Sequence, residues 1–311
     1  MPSLFIRRGM VIHRSVRIMR SIQKRPYTYS LILIPITLYV VFFILPSLLG
    51  VFLSFTHVNQ FSLKSIVFAG WENYKNVLSD PYMNKAVINS FLFGFGTTIA
   101  KVGLGLVLAL FLNQKLLSRG YLRTVYFLPA VLSTVAVGAF FTSALHPATG
   151  IVNKELIAIG LDSWAQDWLM NPKFAIYSLM AIETWKWAGF TMTIILAGLQ
   201  SISKDYYECA SLEGANAFQK FRFITFPLVL PYFNNALIVN LIGGLKVFDL
   251  VQAVTQGGPG SSTEVFGTLV FKAFGSGRFG EGAAASVLLS LIVIAIALPT
   301  WKIGSDKEVE A

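Results

Sequence analysis

The sequence carries no charged residue between positions 29 and 56. A helix of about 20 apolar residues already spans the hydrocarbon core of a bilayer, which is about 30 Å thick. The run is also much longer than the apolar core of a signal peptide, which has about 7 to 15 residues, and no small-residue cleavage site follows it. The feature therefore predicts an uncleaved membrane-spanning helix.

Five more apolar segments follow this first one. The chain is 55% hydrophobic and 13% charged, whereas soluble domains carry about 25% charged residues. We therefore predict an all-α integral membrane protein with six transmembrane helices in a domain at 29–303. A basic leader at 1–28 precedes this domain, and a short tail at 304–311 follows it. The further predicted spans are 86–112, 124–145, 174–199, 232–254 and 283–303.

The distribution of basic residues predicts the orientation. Of the 25 Lys and Arg residues, fifteen fall in the leader, the tail and the loops on their side, and seven fall in the loops on the other side. By the positive-inside rule, both termini are expected in the cytoplasm of a cell whose plasma or inner membrane holds the chain. The net charge of +10 is spread over segment ends, which indicates contact with membrane lipid and not with nucleic acid.

A polar stretch at 205–231 separates the fourth and fifth predicted spans. Gly214 predicts a helix end, because glycine adopts the left-handed conformation of a C-terminal cap. Asn216 can then cap a second short helix, which Pro227 and Pro231 are expected to end by removing backbone donors. Helical spacing predicts that four residues share one face of that helix: Phe218, Phe221, Arg222 and Thr225.

The same stretch resembles the EAA loop of permease subunits of ABC importers. Glu208, Cys209 and Ala210 are followed after two residues by Glu213, Gly214 and Ala215, and then by spaced Phe221, Ile224, Pro227 and Pro231. Two positions depart from the pattern, since Cys209 replaces Ala and Glu213 replaces the usual Asp. The resemblance implies a coupling loop at 201–231, here called the EAA loop, that docks on an ATPase. The residues implied in docking are Glu208, Ala210, Glu213, Gly214, Ala215, Phe218, Phe221 and Pro227.

Other segments extend the resemblance over nearly the whole chain. They are FAGWENY at 68–74, YFLPAVLS at 126–133, GIVN at 150–153, LAGLQSIS at 196–203 and TQGGPGSSTE at 255–264. Ser203 stands where the family commonly has Pro. The last segment is similar to the subfamily that takes up sugars and glycerol-phosphate compounds, as the first member of an unlike permease pair.

This resemblance implies the type I fold of ABC importer permeases and the import of a carbohydrate. The implied partners are a second permease subunit, a cytoplasmic ATPase dimer and an extracytoplasmic solute-binding protein that approaches loops at about 57–85, 146–173 and 257–281. The chain has no Walker A sequence, so it is expected to be no enzyme and to hold no cofactor. ATP and Mg²⁺ would belong to the ATPase.

Three basic residues fall within predicted spans, namely Lys101, Lys186 and Lys246. Glu183 precedes Lys186 by three residues, and Asp249 follows Lys246 by three, which predicts that each pair shares one helix face. For the span at 174–199, apolar residues favour insertion by about 3 to 5 kcal/mol, and each of two central charges opposes it by about 2.5 to 3.5 kcal/mol. We therefore expect this helix to line a cavity or to meet a partner.

Two interpretations of these charges stay open. They either border a translocation path, or they form intrahelical ion pairs or bonds to the partner permease that only fix packing. Trp185 and Trp187 point to different faces, so at most one is expected to line a path. The glycines around Lys101 indicate close helix packing, and the cluster at 257–260 indicates a turn. The candidate path residues are Glu183, Trp185, Lys186, Trp187, Lys246, Phe248 and Asp249.

Other classes of function also stay open. The EAA loop could be an amphipathic helix that lies on the lipid surface. A secondary transporter or channel would need no ATP, but no internal repeat of the kind found in such transporters is evident. A membrane enzyme is disfavoured, because one Cys and three separated His residues provide no catalytic cluster. Flux without ATP, or turnover without a partner, would identify these classes.

Overall fold

The computed structural model describes residues 27–60 and 66–305, with side chains from residue 31 onward. Most of the predicted leader and the end of the predicted tail, from residue 306, lie outside the described residues. Within the described part, extended backbone pairs only at one isolated antiparallel bridge, between Thr56 and Phe68. The predicted all-α fold is confirmed.

The chain divides into two units, residues 1–52 and 53–311. Helix α1 (27–54) belongs to the first unit except for its last two residues. It consists of Tyr27–Tyr39, a π-helical segment at Val40–Ile44, and Leu45–Ser54. No residue in its most apolar stretch is buried by the protein. Its position agrees with the predicted first span at 29–56.

The second unit contains eleven helices within its described residues. A single turn of 3₁₀ helix lies at Asp162–Trp164. The helices are α2 Glu72–Leu78, α3 Met83–Leu112, α4 Arg119–Val131, α5 Thr134–Ala144, α6 Ile151–Ala158, α7 Ala175–Ser201, α8 Lys204–Leu212, α9 Ala217–Leu245, α10 Asp249–Val254, α11 Phe266–Gly275 and α12 Phe279–Ser305.

Among the described residues, four helices are long and apolar enough to cross a membrane, and a bent pair adds a fifth. The four are Leu31–Ser54 of α1, α3, α9 and α12, and the bent pair is α4 with α5. The fourth predicted span, 174–199, folds as α7. It falls outside this group because Glu183 and Lys186 lower its mean hydropathy, yet more than half of its residues are buried. As expected, α7 does not face lipid all round.

Two predicted spans are broken. The span predicted at 124–145 is the pair α4 and α5, which bends by 95° where Leu132 and Ser133 have extended backbone. The span predicted at 232–254 ends at Leu245, and α10 starts only at Asp249 after a non-helical break. The prediction of one continuous helix was wrong in both places. Apolar composition detects a span but is insensitive to a break of a few residues.

The expected stop at Pro227 and Pro231 was also wrong, because α9 continues through both prolines. A π-helical segment, Phe221–Thr225, precedes Pro227, which then lies in the first turn of the following α-helical segment. A proline is tolerated there because the first-turn N–H has no partner within the helical segment. Only Pro231 interrupts the interior of the α-helical segment.

Two apolar clusters mark opposite ends of the second unit. One cluster joins Leu112 of α3 to Leu199 of α7 and Val229 of α9, with Leu116 and Leu122 packed against it. This end holds the 113–118 connection and the EAA loop. The cluster at the other end joins Tyr74, Val77, Met83, Phe266, Ala284 and Ala285.

Candidate functional site: a charged cavity and an exposed loop

A cavity of about 250 Å³ opens where the two helix breaks approach α3 and α7. Five consecutive residues, 246–250, line it. They comprise the break between α9 and α10, at 246–248, and the first two residues of α10. Thr134 contributes from the start of α5, directly after the other break. We call it the charged cavity, and its lining residues are Lys101, Thr134, Glu183, Trp187, Phe190, Val239, Asn240, Gly243, Lys246, Val247, Phe248, Asp249 and Leu250.

Glu183 forms an ion pair across helices. Its Oε1 lies 3.8 Å from Nζ of Lys101, and the two side chains are 11% and 2% exposed. Burial of either charge alone would be costly, because an isolated ion loses its hydration. Each charge therefore offsets part of the cost of burying the other. The sequence spacing predicted Lys186 as the neighbour of Glu183, but the ion pair is made with Lys101.

Lys186 also reaches another helix. Its buried ammonium group donates a hydrogen bond to Oγ1 of Thr134. It also lies 5.3 Å from the ring centroid of Trp187, which is a cation–π distance. The contact therefore ties α7 to the bend between α4 and α5, and the prediction of a simple pair within α7 is corrected.

Lys246 and Asp249 do not share a helix face. Lys246 follows the end of α9, and Asp249 begins α10. Both side chains are exposed and line the charged cavity. Neither forms an ion pair with a described residue. The break and the first residue of α10 thus present one cation and one anion to the cavity.

The two candidate tryptophans lie on different sides of α7, as expected. Trp187 lines the charged cavity. Trp185 packs edge-on against Phe141, with ring centroids 5.2 Å apart, and lines a separate apolar recess with Trp168 and Tyr177. Five of the seven candidate path residues therefore line one cavity. A sixth, Lys186, is adjacent to it through its bond to Thr134, and the structure separates only Trp185 from the others.

The candidate path residues did not include eight of the thirteen residues that line this cavity, among them Lys101, Phe190 and Asn240. Asn240 is buried, and its Nδ2 donates to Oγ1 of Thr191 at 2.9 Å and to the carbonyl of Ala236 at 2.8 Å. A signal existed for Lys101, since a lone cation in a spanning segment requires an acidic partner. No comparable signal distinguished Phe190 from any other aromatic residue of the spans.

The glycines around Lys101 do permit close packing, as expected. A Cβ on Gly94 would lie 2.7 Å from Leu245, and one on Gly105 would lie 2.8 Å from Thr191. Gly103, in contrast, has nothing within 4 Å. Close contacts at Gly94 and Gly105 thus hold α3 against α9 and α7 on both sides of Lys101.

The EAA loop has the predicted helix end and cap. Ser203 caps α8 by accepting from the N–H of Asp205. After α8, Gly214 has a φ of +78°, and the N–H of Ala215 donates to the carbonyl of Ala210 at 2.9 Å. Asn216 then forms a reciprocal capping box with Gln219. These bonds satisfy backbone groups that a helix end leaves free.

The outer surface of the EAA loop combines exposed apolar and polar residues. Leu212, Phe218 and Phe223 are 90%, 73% and 72% exposed, and Glu208 is also exposed. The predicted common face is not present, because Phe218 is exposed while Thr225 is buried. The π-helical segment changes the spacing between them. A recess on the loop is lined by Ala210, Glu213, Gly214, Ala215, Gln219, Lys220, Phe223 and Ile224.

Residues 101–300 match a family described as the inner membrane component of binding-protein-dependent transport systems. The matched range is more than half of the chain and includes both the charged cavity and the EAA loop. The chain belongs to this family. It is therefore a multi-pass membrane permease, and permeases of this family are not themselves enzymes.

Curated relatives match over most of their length. The permease is 32% identical to the probable ABC transporter permease protein YurN of Bacillus subtilis, over 89% of this chain and 94% of the relative. It is 33% identical to the trehalose/maltose transport system permease protein MalF of Thermococcus litoralis, over 89% of this chain and 92% of the relative.

A solved structure shows the same fold. It is a bacterial alginate ABC transporter in complex with a periplasmic protein bound to alginate pentasaccharide. The match has a TM-score of 0.78 and 23% sequence identity, and it covers 91% of this chain and 96% of the other. The likeness covers most of the chain, so the fold of an ABC importer permease is confirmed.

Proposed function

We propose that this permease carries a carbohydrate through the charged cavity into the cell and is driven by ATP that a separate subunit hydrolyses. The observation that carries the proposal is the cavity itself, where charged groups lie beside aromatic rings at two helix breaks. The relative from Thermococcus litoralis is named for trehalose and maltose, which supports a sugar as the substrate.

The lining of the cavity has the chemistry that a sugar needs. Trp187, Phe190 and Phe248 offer aromatic faces for the apolar side of a sugar ring. Asp249 can accept hydrogen bonds from hydroxyl groups, and Lys246 can donate to them, with the extra strength that a charge provides. Because neither has an ion-pair partner among the described residues, both are available to a substrate.

The EAA loop is the proposed docking surface for the ATPase. Its exposed Phe218 can enter an apolar cleft, and Glu208 can bond to polar groups around it. Gly214 sets the sharp turn between α8 and α9, so it fixes the relation between the two helices that would dock. ATP and Mg²⁺ would be held by the ATPase dimer.

The proposed orientation places the EAA loop and both termini in the cytoplasm. The 113–118 connection lies at the same end as the EAA loop. Its Lys115, and Arg119 at the start of α4, fit that side. The other end would face a solute-binding protein, and the related fold of the alginate transporter is described with such a periplasmic protein. A second permease would complete the path.

Purification and reconstitution would test this function. We expect a tagged permease extracted in mild detergent to co-purify with a second permease and an ATPase. In liposomes, sugar uptake should require ATP, and Asp249→Asn should raise the half-saturating sugar concentration without loss of assembly. A single purified chain that moves solute without ATP would contradict the proposal and would indicate a secondary transporter.

A further inference from the structure

Helix α11 lies behind the break that lines the charged cavity. A Cβ on Gly267 of α11 would lie 2.8 Å from the carbonyl oxygen of Val247 and 2.9 Å from Cβ of Phe248. One helical turn further along α11, the ring of Phe271 packs on that of Phe248, with centroids 5.1 Å apart. Val247 and Phe248 are therefore held between α11 and the cavity.

The start of α11 is fixed to α3 by several bonds. The N–H of Phe266 donates to Oγ of Ser90 at 2.8 Å, and Nδ2 of Asn89 donates to the carbonyl of Glu264 at 2.9 Å. Phe266 is itself buried in an apolar cluster. These bonds hold the start of α11 against α3, so we expect a group added at position 267 to displace the break toward the cavity.

An ion pair also joins α11 to the loop that precedes it. Oε2 of the buried Glu264 lies 2.5 Å from Nζ of Lys272 on α11. This contact joins the loop before α11 to its second turn. The break, in contrast, is not helical between Lys246 and Phe248.

We propose that Gly267, which does not line the cavity, sets the size of sugar that passes by fixing how far Val247 and Phe248 project into it. Gly267 is thus a positioning residue. The inference rests on the proposed function, because it takes the charged cavity as the sugar path. A methyl group at position 267 requires a shift of about 1 Å to restore ordinary contact distances of about 3.5 to 4.0 Å.

The chain allows a test that does not depend on knowing the sugar. Cys209 is its single cysteine and is exposed, so Cys209→Ala provides a permease chain without a thiol, and the same transporter without the reporter thiol gives the background reaction of the partner subunits. Gly243 lines the cavity, and its Cβ would have no atom within 4 Å. Gly243→Cys therefore introduces one reporter thiol, whose reaction with a small and a bulky methanethiosulfonate reagent is timed in the assembled transporter.

In this background, we compare the rate of reaction with the bulky reagent to the rate with the small reagent. Gly267→Ala should lower this ratio by about five- to tenfold, a value taken from the lower part of the free-energy range for overpacking a close contact. The matched control is Gly275→Ala on the same helix, where a Cβ has nothing within 4 Å. It should leave the ratio unchanged. An unchanged ratio in Gly267→Ala, or an equal change in both variants, would overturn the inference.

Phe248→Ala keeps the inference testable if Gly267→Ala does not assemble. It removes the ring that the glycine positions, so it should raise the same ratio, and no change would overturn the proposal. With malto-oligosaccharides of increasing length as transport probes, Gly267→Ala should disfavour long chains and Phe248→Ala should favour them. An equal loss of uptake for every length would show a purely structural role and contradict the inference.

The proposed function can fail separately from this inference. If the charged cavity is the sugar path, a transported sugar should slow the modification of the Gly243→Cys thiol. Modification that transported sugar leaves unchanged would contradict the path, while the reagent ratio would still report on Gly267.

Discussion

In the charged cavity, Glu183 pairs with Lys101 on another helix, whereas in the EAA loop Asn216 bonds to Gln219, three positions away. The cavity is therefore set by contacts between distant segments and the loop by contacts between neighbours. The cavity should tolerate few local changes, because each one disturbs several helices. Substitutions in the EAA loop should change its local stability only through their effects on the helix ends.

Glycines show the same difference. A Cβ on Gly189 would lie 1.8 Å from the carbonyl oxygen of Tyr126, where α7 crosses α4 beside the cavity. A Cβ on Gly214 would have nothing within 4 Å, but its φ is +78°. The first position requires glycine for space, and the second requires it for its backbone conformation.

The largest effect is expected when the buried ion pair is broken. Lys101→Met leaves Glu183 as an unpaired buried charge, which should lower the free energy of unfolding by about 3 to 5 kcal/mol. Thermal unfolding of the purified permease would measure it. The double variant Lys101→Met, Glu183→Gln should be more stable than Lys101→Met alone. Strictly additive effects would contradict coupling between these two residues.

The next effect concerns the crossing of α7 and α4. Gly189→Ala inserts a methyl group against the Tyr126 backbone and should destabilise the permease by about 1 to 3 kcal/mol. Gly103→Ala is the control, because the same change there meets open space. Equal thermal unfolding of the two variants would show that the close approach is unimportant for stability.

A backbone effect of about 1 to 2 kcal/mol is expected in the EAA loop. Gly214→Val places a β-branched residue at a positive φ, so the turn should distort while membrane insertion stays intact. Uptake and recovery of the ATPase should both be lost. Gly214→Asn should retain both, because asparagine tolerates this conformation. Normal transport by the valine variant would exclude a requirement for the turn.

The smallest effect should follow loss of the cap. Asn216→Ala removes one half of the capping box and should destabilise the start of α9 by about 1 kcal/mol. Hydrogen exchange of the amides at 217–220 would reveal it as local opening. Asn216→Asp should behave like the original, since aspartate also caps well. Faster exchange near Lys101 in the alanine variant would mean that the loop and the cavity are not independent.

The part of the structure that was predictable from sequence is the part set by neighbours. Gly214 and Asn216 indicated a helix end and a cap, and both are present. Pro227 indicated a stop, but the preceding π-helical segment places it where its missing N–H is harmless. The Lys101–Glu183 pair was not predictable, because helix periodicity relates only residues of one helix. The breaks at 132–133 and 246–248 were also not predicted, because the apolar composition of a whole span does not change when a few of its residues leave the helix.

Helix α9 begins in the EAA loop and ends beside the charged cavity as one element of 29 residues. At a rise of 1.5 Å per residue it is about 43 Å long, so a tilt of about 10° around its loop end would carry its far end about 7 Å. It is therefore a lever arm between the two regions. Its π-helical segment and prolines lie close to the loop end, so the arm is most compliant near the pivot and stiffest where displacement is greatest.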